Sequence, residues 1–363
     1  MRASVSSSSP GRARSETSVA SAKSGTRAAG ALWSIVLAGG KGKRLAPLIE
    51  RIHADGRPKQ FAVLTGSRSL LRQTLDRAAL AIAPERTVVI ATRSQEPYLA
   101  AEFAHERSPE VLLQPEDRGT AAGILYPVHW IAARDPNATI AIFPSDHFVA
   151  DDGMFMRHVL RLAALAPRDP ERIFLLGARP DSPETGYGWI EPGSSLVAPD
   201  VRRVVRFWEK PSPQTARACL YRGCVWNTFV MVGRAEAFLN AAREATPSLA
   251  GDFARIQPDA DPRLRERTLA DVYALTPFAG FSDTILAASP ARLAVSALPT
   301  SIWSDWGTPE RVLQTLRSRG ITPAWLDRPA RAAQAERSAE ECEGASRAAS
   351  SASSLSNEMG LAK

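Results

Sequence analysis

The chain has 363 residues, 44% of them hydrophobic, and a formal net charge of +7. That is long enough for one large α/β domain or two smaller ones, and no apolar run in it is long enough to cross a bilayer. Much of the positive charge lies in residues 1–30, where Arg2, Arg12, Arg14, Lys23 and Arg27 face the single acid Glu16. The remainder is only mildly basic, which argues against nucleic acid as the main partner.

Residues 1–30 are Ser, Ala, Arg and Gly with almost no large apolar side chains. Such a segment cannot bury enough surface to offset its ordering entropy. A disordered extension is the favoured reading; a transit peptide or a misassigned start are the others. Trp33–Ala38 reads as a strand. Helical spacing of Leu70, Leu71, Thr74, Leu75, Ala78 and Ala79 predicts a helix. Then come a strand at Thr87–Thr92, a helix over Pro97–Arg107, a strand at Val111–Gln114, a helix over Thr120–Arg134 and a strand at Thr139–Phe143. This β-α-β alternation predicts a parallel sheet with helices on both faces.

The second half changes character. Arg172–Gly177, Gly188–Glu191 and Val201–Trp208 are strand-like, with frequent Gly and Pro, which suggests an inserted or appended β-rich lobe. Helices are expected at Pro213–Tyr221, Ala235–Arg243 and Leu264–Leu275. Residues from about 329 onward are again Ala, Ser, Glu and Arg. Domain limits of 1–30, 31–328 and 329–363 follow, and both tails are expected to be dispensable. Cys219, Cys224 and Cys342 match no zinc spacing, so reduced thiols and a cytoplasmic setting are expected.

The most informative stretch is Ile35-Val36-Leu37-Ala38-Gly39-Gly40-Lys41-Gly42-Lys43-Arg44-Leu45. A buried strand runs into a glycine-rich basic loop. Its N–H groups can converge on phosphate oxygens, and Lys41, Lys43 and Arg44 add charge. It is not a P-loop, because Arg44 stands where the second glycine is required. It is not the dinucleotide fingerprint either, because Leu45 replaces the third glycine. Alone, it is equally a strand-to-helix turn with surface cations.

Asp146, after the strand Thr139–Phe143, falls where open α/β sheets bind ligands. One or two carboxylates suit Mg²⁺ held mostly by phosphate and water, and Asp305 is the second such acid. Either could instead cap a turn. His147 reads as a solvated loop histidine. Glu209 and Lys210 pair an acceptor for hydroxyls with a charge for phosphate. Trp226-Asn227-Thr228 offers an amide or merely a turn. Thr185-Gly186-Tyr187-Gly188 would allow close backbone approach to a sugar, or form a hairpin turn.

Taken in order, these segments say more. The glycine loop is followed by Pro58-Lys59-Gln60-Phe61, Gln114-Pro115-Glu116-Asp117-Arg118-Gly119-Thr120-Ala121 and Pro144-Ser145-Asp146-His147. Thr185–Ile190, Phe207-Trp208-Glu209-Lys210-Pro211, Trp226-Asn227-Thr228 and Trp303-Ser304-Asp305-Trp306-Gly307 complete the series. From about Trp33 to Arg317 the chain resembles the mannose-1-phosphate guanylyltransferase (GDP-mannose pyrophosphorylase) family of sugar-phosphate nucleotidyltransferases. The short form is expected, since the tail is too short and polar for the cupin-like isomerase domain of longer relatives.

The resemblance implies a Rossmann-like, mostly parallel sheet of the nucleotide-diphospho-sugar transferase type with a β-rich sugar-binding lobe. It implies transfer of a nucleotidyl group from GTP to mannose 1-phosphate, giving GDP-mannose and pyrophosphate, with Mg²⁺ as cofactor. Arg44, Lys59 and Asp146 would be catalytic. Gly39, Gly40, Gly42, Arg44, Arg118, Gly119 and Thr120 would bind nucleotide. Gly188, Glu209, Lys210 and Asn227 would bind the sugar phosphate, and Asp146 and Asp305 the metal. A homodimer is one assembly open to such a protein.

The sequence departs from the family pattern at several points. Lys43 replaces the usual Thr, Asp117 a frequent Asn, and Ala122 a frequent Pro. Thr228-Phe229 follows Asn227 where Ser-Gly is common, and Trp306 stands for Val. Another NTP and hexose 1-phosphate pair therefore stays open, as does an inactive regulatory homologue that senses sugar nucleotides.

Overall fold

The computed structural model describes residues 30–104, 108–196, 198–298 and 302–327. The expectations for the two tails and for Cys342 lie outside the described residues, as does the end of the helix expected up to Arg107.

The first half alternates as its pattern requires. It runs β1 (Leu32–Leu37), α1 (Ala46–His53), α2 (Leu70–Ala79), β2 (Thr87–Thr92), α3 (Glu96–Phe103), β3 (Glu110–Gln114), α4 (Thr120–Arg134) and β4 (Thr139–Pro144). β1 pairs in parallel with both β2 and β4, and β2 with β3. Successive residues of these strands point to opposite faces. Ile35, Ile140 and Ile142 join the core under α4, whereas Val36 packs with Leu71 and Leu75 of α2, and Phe143 with Phe155.

The second half contains β5 (Phe148–Val149), α5 (Asp152–Leu165), β6 (Ile173–Ala178), β7 (Trp189–Ser195), β8 (Val201–Trp208) and α6 (Pro213–Tyr221). It continues through β9 (Val225–Arg234), α7 (Ala235–Ala245), α8 (Pro247–Ala254), α9 (Pro262–Leu275), β10 (Leu293–Leu298), β11 (Trp303–Ser304) and α10 (Pro309–Arg319). Its β-rich part is built onto the same sheet. The nine strands lie in the order β3-β2-β1-β4-β9-β6-β10-β8-β7, with β8 and β9 antiparallel to their neighbours. Trp226-Asn227-Thr228 is therefore no turn: it lies inside β9, where Trp226 and Asn227 pair with β6 and Trp226 also with β7. Cys219 and Cys224 are buried free thiols. Among the described residues no helix is long and apolar enough to cross a membrane.

Two features of this topology position the site. From β1 the chain moves to β2 and β3 on one side, then returns to β4 on the other, so a topological switch point opens at the carboxyl ends of β1 and β4. There the Ser145 hydroxyl and N–H both bond to Leu37 O, at 2.7 and 3.2 Å. Second, β5 and β11 pair antiparallel, with Ser304 opposite Phe148. Asp146 lies just before β5 and Asp305 just after β11, so this short ribbon brings together two acids far apart in sequence.

Candidate active site

A cleft of about 450 Å³ opens over the switch point. Gly39, Gly40, Gly119, Thr120, Gly188, Glu209, Lys210, Asn227 and Asp305 line it, together with His147 and Tyr187. Its size suits a small-molecule site.

The glycine loop forms one wall. Its carbonyls are taken up by two glutamines: Gln60 Nε2 donates to Ala38 O and to Gly40 O (3.0 Å), and Gln95 Nε2 to Gly39 O (3.2 Å) and Gly40 O (3.0 Å). With the carbonyls engaged on the far side, the loop's N–H groups remain for a ligand. Gly42 has φ 58°, and a Cβ there would lie 2.6 Å from Lys59 Cβ, so the loop can only close over Lys59 with glycine.

Lys59 is buried against the loop at Gly42. Its side chain is 5% exposed, and Nζ donates to Asp305 O at 2.6 Å while pairing with Asp146 Oδ2 at 3.1 Å. One buried ammonium thus ties both acids together. Burial works against the charge of Asp146, yet Lys59 and His147 outweigh it and hold the carboxyl below its ordinary value. His147 is not the solvated loop residue expected from sequence. Its side chain is 16% exposed, and its Nδ1 accepts from Trp303 Nε1 at 3.2 Å, which leaves the ring proton on Nε2, 3.7 Å from Asp146 Oδ1. Burial depresses its pKa to about 4, so the imidazole is neutral at pH 7.

Asp305 is held by two residues from the quoted motifs, whose role there the motif reading did not give, and by Arg311, which it did not name. Tyr187 OH (2.6 Å), Arg311 Nη1 (2.9 Å) and Gly307 N–H (2.9 Å) all donate to its Oδ1. Arg311 also pairs with Glu184 at 2.5 Å and lies over the Tyr187 ring at 4.2 Å. Burial of the Asp305 carboxyl is outweighed by Tyr187, His147 and Arg311, and its pKa stays low. Its Oδ2 lies 4.0 Å from the Arg44 guanidinium. Three donors thus converge on one carboxylate oxygen, and a guanidinium lies beside the other.

The opposite end is built from β8 and β9. Glu209 and Lys210 pair at 3.3 Å. Burial pushes the Glu209 carboxyl above its ordinary value, and nearby Asp283 adds to the effect against Lys210. Asn227 Oδ1 accepts from Phe229 N–H at 3.0 Å, and its Nδ2 faces Ser282 Oγ at 3.4 Å. The segment after β3 is clasped to residues 279–281: Ala279 N–H donates to Arg118 O, Ala121 N–H to Ala279 O, and Phe281 N–H to Thr120 Oγ1. Gly119, at φ 86°, is indispensable here, since a Cβ would stand 2.3 Å from Ala279 O.

Not every expected residue converges. Arg118 turns back onto Glu116 at 2.6 Å and does not line the cleft. Arg44 has a side chain 60% exposed at the rim. Local strain marks the site independently of any motif. Among the described residues four non-glycines have left-handed backbone. Of these, Lys210 and Phe229 line the cleft, and Trp306 directly follows Asp305, which lines it too. Such outliers gather at functional sites, where surrounding structure over-determines them.

The chain belongs to the nucleotidyl transferase family, whose profile matches residues 33–318. Its relatives include the xanthan biosynthesis protein XanB of Xanthomonas campestris pv. campestris (strain B100), 31% identical over 275 residues, covering 69% of this chain and 56% of that one. The mannose-1-phosphate guanylyltransferase of Sinorhizobium fredii is 33% identical over 219 residues, covering 59% and 41%. The chain thus spans about half the length of the curated relatives it matches. A crystal structure described as mannose-1-phosphate geranyltransferase, from Thermus thermophilus, superposes with a TM-score of 0.66 at 29% identity over 78% of this chain and 79% of that one. The structure of mannose-6-phosphate isomerase from Helicobacter pylori shares the fold, with a TM-score of 0.58 at 20% identity over 75% and 99%.

Proposed function

We propose that this protein transfers a nucleotidyl group from GTP to mannose 1-phosphate, forming GDP-mannose and pyrophosphate. The observation that carries the reading is the cleft at the β1–β4 switch point. It brings two glycines of the basic loop together with Asp305, Glu209 and Asn227, and Lys59 joins Asp305 to Asp146. The choice of base and sugar rests on the resemblance and on the names of the relatives.

The sugar phosphate oxygen attacks the α-phosphorus; the new P–O bond forms as the bond to the β-phosphate oxygen breaks, and pyrophosphate leaves with that electron pair. The nucleophile is already an anion near neutral pH, so no side-chain base is required. Catalysis is then positioning and charge neutralisation. The loop N–H groups of Gly39, Gly40 and Gly42, with Arg44 at the rim, hold the triphosphate. Glu209 and Asn227 read sugar hydroxyls, and Lys210 faces the sugar phosphate. Lys59 sets the spacing of Asp146 and Asp305.

Asp146 and Asp305 fit Mg²⁺ on the chemistry of their donors: hard oxygens from two carboxylates, on residues that Lys59 joins. They would hold the ion, which when bound neutralises charge on the phosphate oxygens. The test is pyrophosphate release by purified protein with Mg²⁺ across a matrix of NTPs and sugar 1-phosphates. The greatest kcat/KM is expected with GTP and mannose 1-phosphate. Binding of these ligands without pyrophosphate release would make the protein a sensor instead.

A further inference from the structure

Phe229 stands at a peculiar point in the sheet. Along the β6–β9 pairing, Leu176 lies opposite Val230 and Gly177 opposite Asn227, so Thr228 and Phe229 are extra residues bulged out of β9. The bulge is pinned from within: the Thr228 hydroxyl donates to Leu176 O and accepts from Val230 N–H at 3.2 Å. Phe229 itself has φ 61°. A bulky residue there is a genuine outlier, in a conformation that glycine adopts freely. The strained backbone aims the Phe229 N–H at Asn227 Oδ1, 3.0 Å away. That fixes the amide, whose NH₂ donates one hydrogen to Ser282 Oγ at 3.4 Å and keeps the other for a ligand. The side chain is partly buried against the core and lines the cleft beside Asn227 and Glu209.

We propose that Phe229 is a specificity-determining residue of the sugar subsite. Its ring narrows this end of the cleft, admitting hexose 1-phosphates with small hydroxyl substituents and excluding those with a bulky polar one, such as a 2-acetamido group. The inference rests on the sugar-subsite reading above. Its physical basis is twofold. The ring fills space that a glycine would leave open. It also offers no hydrogen-bond partner to an amide, and a polar group pressed unpaired against an apolar wall is strongly disfavoured. The strain is the cost of keeping a ring at this position.

The experiment compares wild type, Phe229→Gly and Phe229→Ala, full chain, with Mg²⁺ and the NTP that wild type uses best. The acceptors are hexose 1-phosphates and their 2-acetamido-2-deoxy counterparts. The quantity read is the ratio of kcat/KM for the acetamido sugar to that for the parent hexose. Taken within one preparation, it is independent of the folded fraction. Both variants are expected to raise this ratio about tenfold or more, the scale of discrimination a pocket wall supplies, with the KM for NTP within about twofold of wild type. Both lose the ring but only glycine relieves the backbone, so Phe229→Gly should unfold at a higher urea concentration than Phe229→Ala. An unchanged sugar ratio in both variants overturns the proposal. A shift confined to the KM for NTP overturns it too, by placing the ring against the nucleotide. Wild type inactive toward every pair would instead overturn the reading of the cleft beneath it.

Discussion

Replacing Asp146 separates two roles that the structure combines in one carboxylate. Lys59 Nζ, on a side chain 5% exposed, has Asp146 Oδ2 at 3.1 Å and Asp305 O at 2.6 Å. Asp146→Ala leaves that ammonium with a single neutral acceptor. Breaking a fully buried pair costs about 3–5 kcal/mol. The Asp146 side chain is 31% exposed, however, and solvent screening lowers the expected loss to about 1–3 kcal/mol. The same substitution deletes an anionic ligand from the proposed Mg²⁺ site. Turnover should fall more than about 100-fold at millimolar Mg²⁺, the scale of losing two or more charged contacts to the transition state, and should depend more steeply on Mg²⁺. Asp146→Asn keeps the shape and isolates the charge. Arg44→Ala is the contrast. At 4.0 Å from Asp305 and exposed, it should lower turnover without moving the Mg²⁺ optimum. Pyrophosphate release against a Mg²⁺ titration, beside urea unfolding of each variant, reads both effects. A folded Asp146→Ala protein with near wild-type turnover at limiting Mg²⁺ would refute the metal assignment and most of the mechanism.

Glu209→Gln should raise the KM for the sugar 1-phosphate about 10- to 100-fold, the worth of a charged hydrogen bond; an equal loss of NTP affinity by direct binding would remove Glu209 from the sugar subsite. Tyr187→Phe deletes the hydroxyl on Asp305 Oδ1 but keeps the ring against Trp226 and Trp303, so turnover should drop about tenfold with the fold retained. Turnover equal to wild type would show that Arg311 and Gly307 suffice to hold the acid. His129 supplies a pH test: burial, helped by Arg243, lowers its pKa to about 4, and its Nε2 has no partner. The unfolded chain takes up that proton near pH 6.5 while the folded chain refuses it, so stability is lost as pH falls from about 6.5 toward 4. The loss is about 2 kcal/mol at pH 5, and His129→Gln should lack it. Parallel loss in wild type and variant, by urea unfolding at pH 7 and 5, would refute this.

Much of the first half was legible in the sequence because its elements follow a single period. Leu70–Ala79, Thr87–Thr92 and Thr120–Arg134 form where apolar spacing places them. β9 was not, because polar Asn227-Thr228 interrupts its apolar run and mimics a turn. β10 and α10 escaped notice as well. In the site, the order of motifs located Gly39, Gly40, Glu209, Asn227 and Asp305, which line the cleft, and Asp146, which pairs with Lys59 beside Asp305. What escaped was much of what holds them. Gln95 meets the loop from 56 residues away and Tyr187 meets Asp305 from 118. Arg311 lay within reach of local reading, six residues past Asp305 and just inside a helix opened by Thr308 and Pro309. The left-handed residues carry the deepest reason. At Lys210, Phe229 and Trp306 local propensity argues against the observed backbone, and only the assembled cleft enforces it. Each follows a site residue by no more than two positions: Glu209, Asn227 and Asp305. Local preference and tertiary structure therefore disagree at the positions that set the direction of the reactive side chains. A reading based on propensity had to miss the backbone there, even where the chemistry of the side chains was plain.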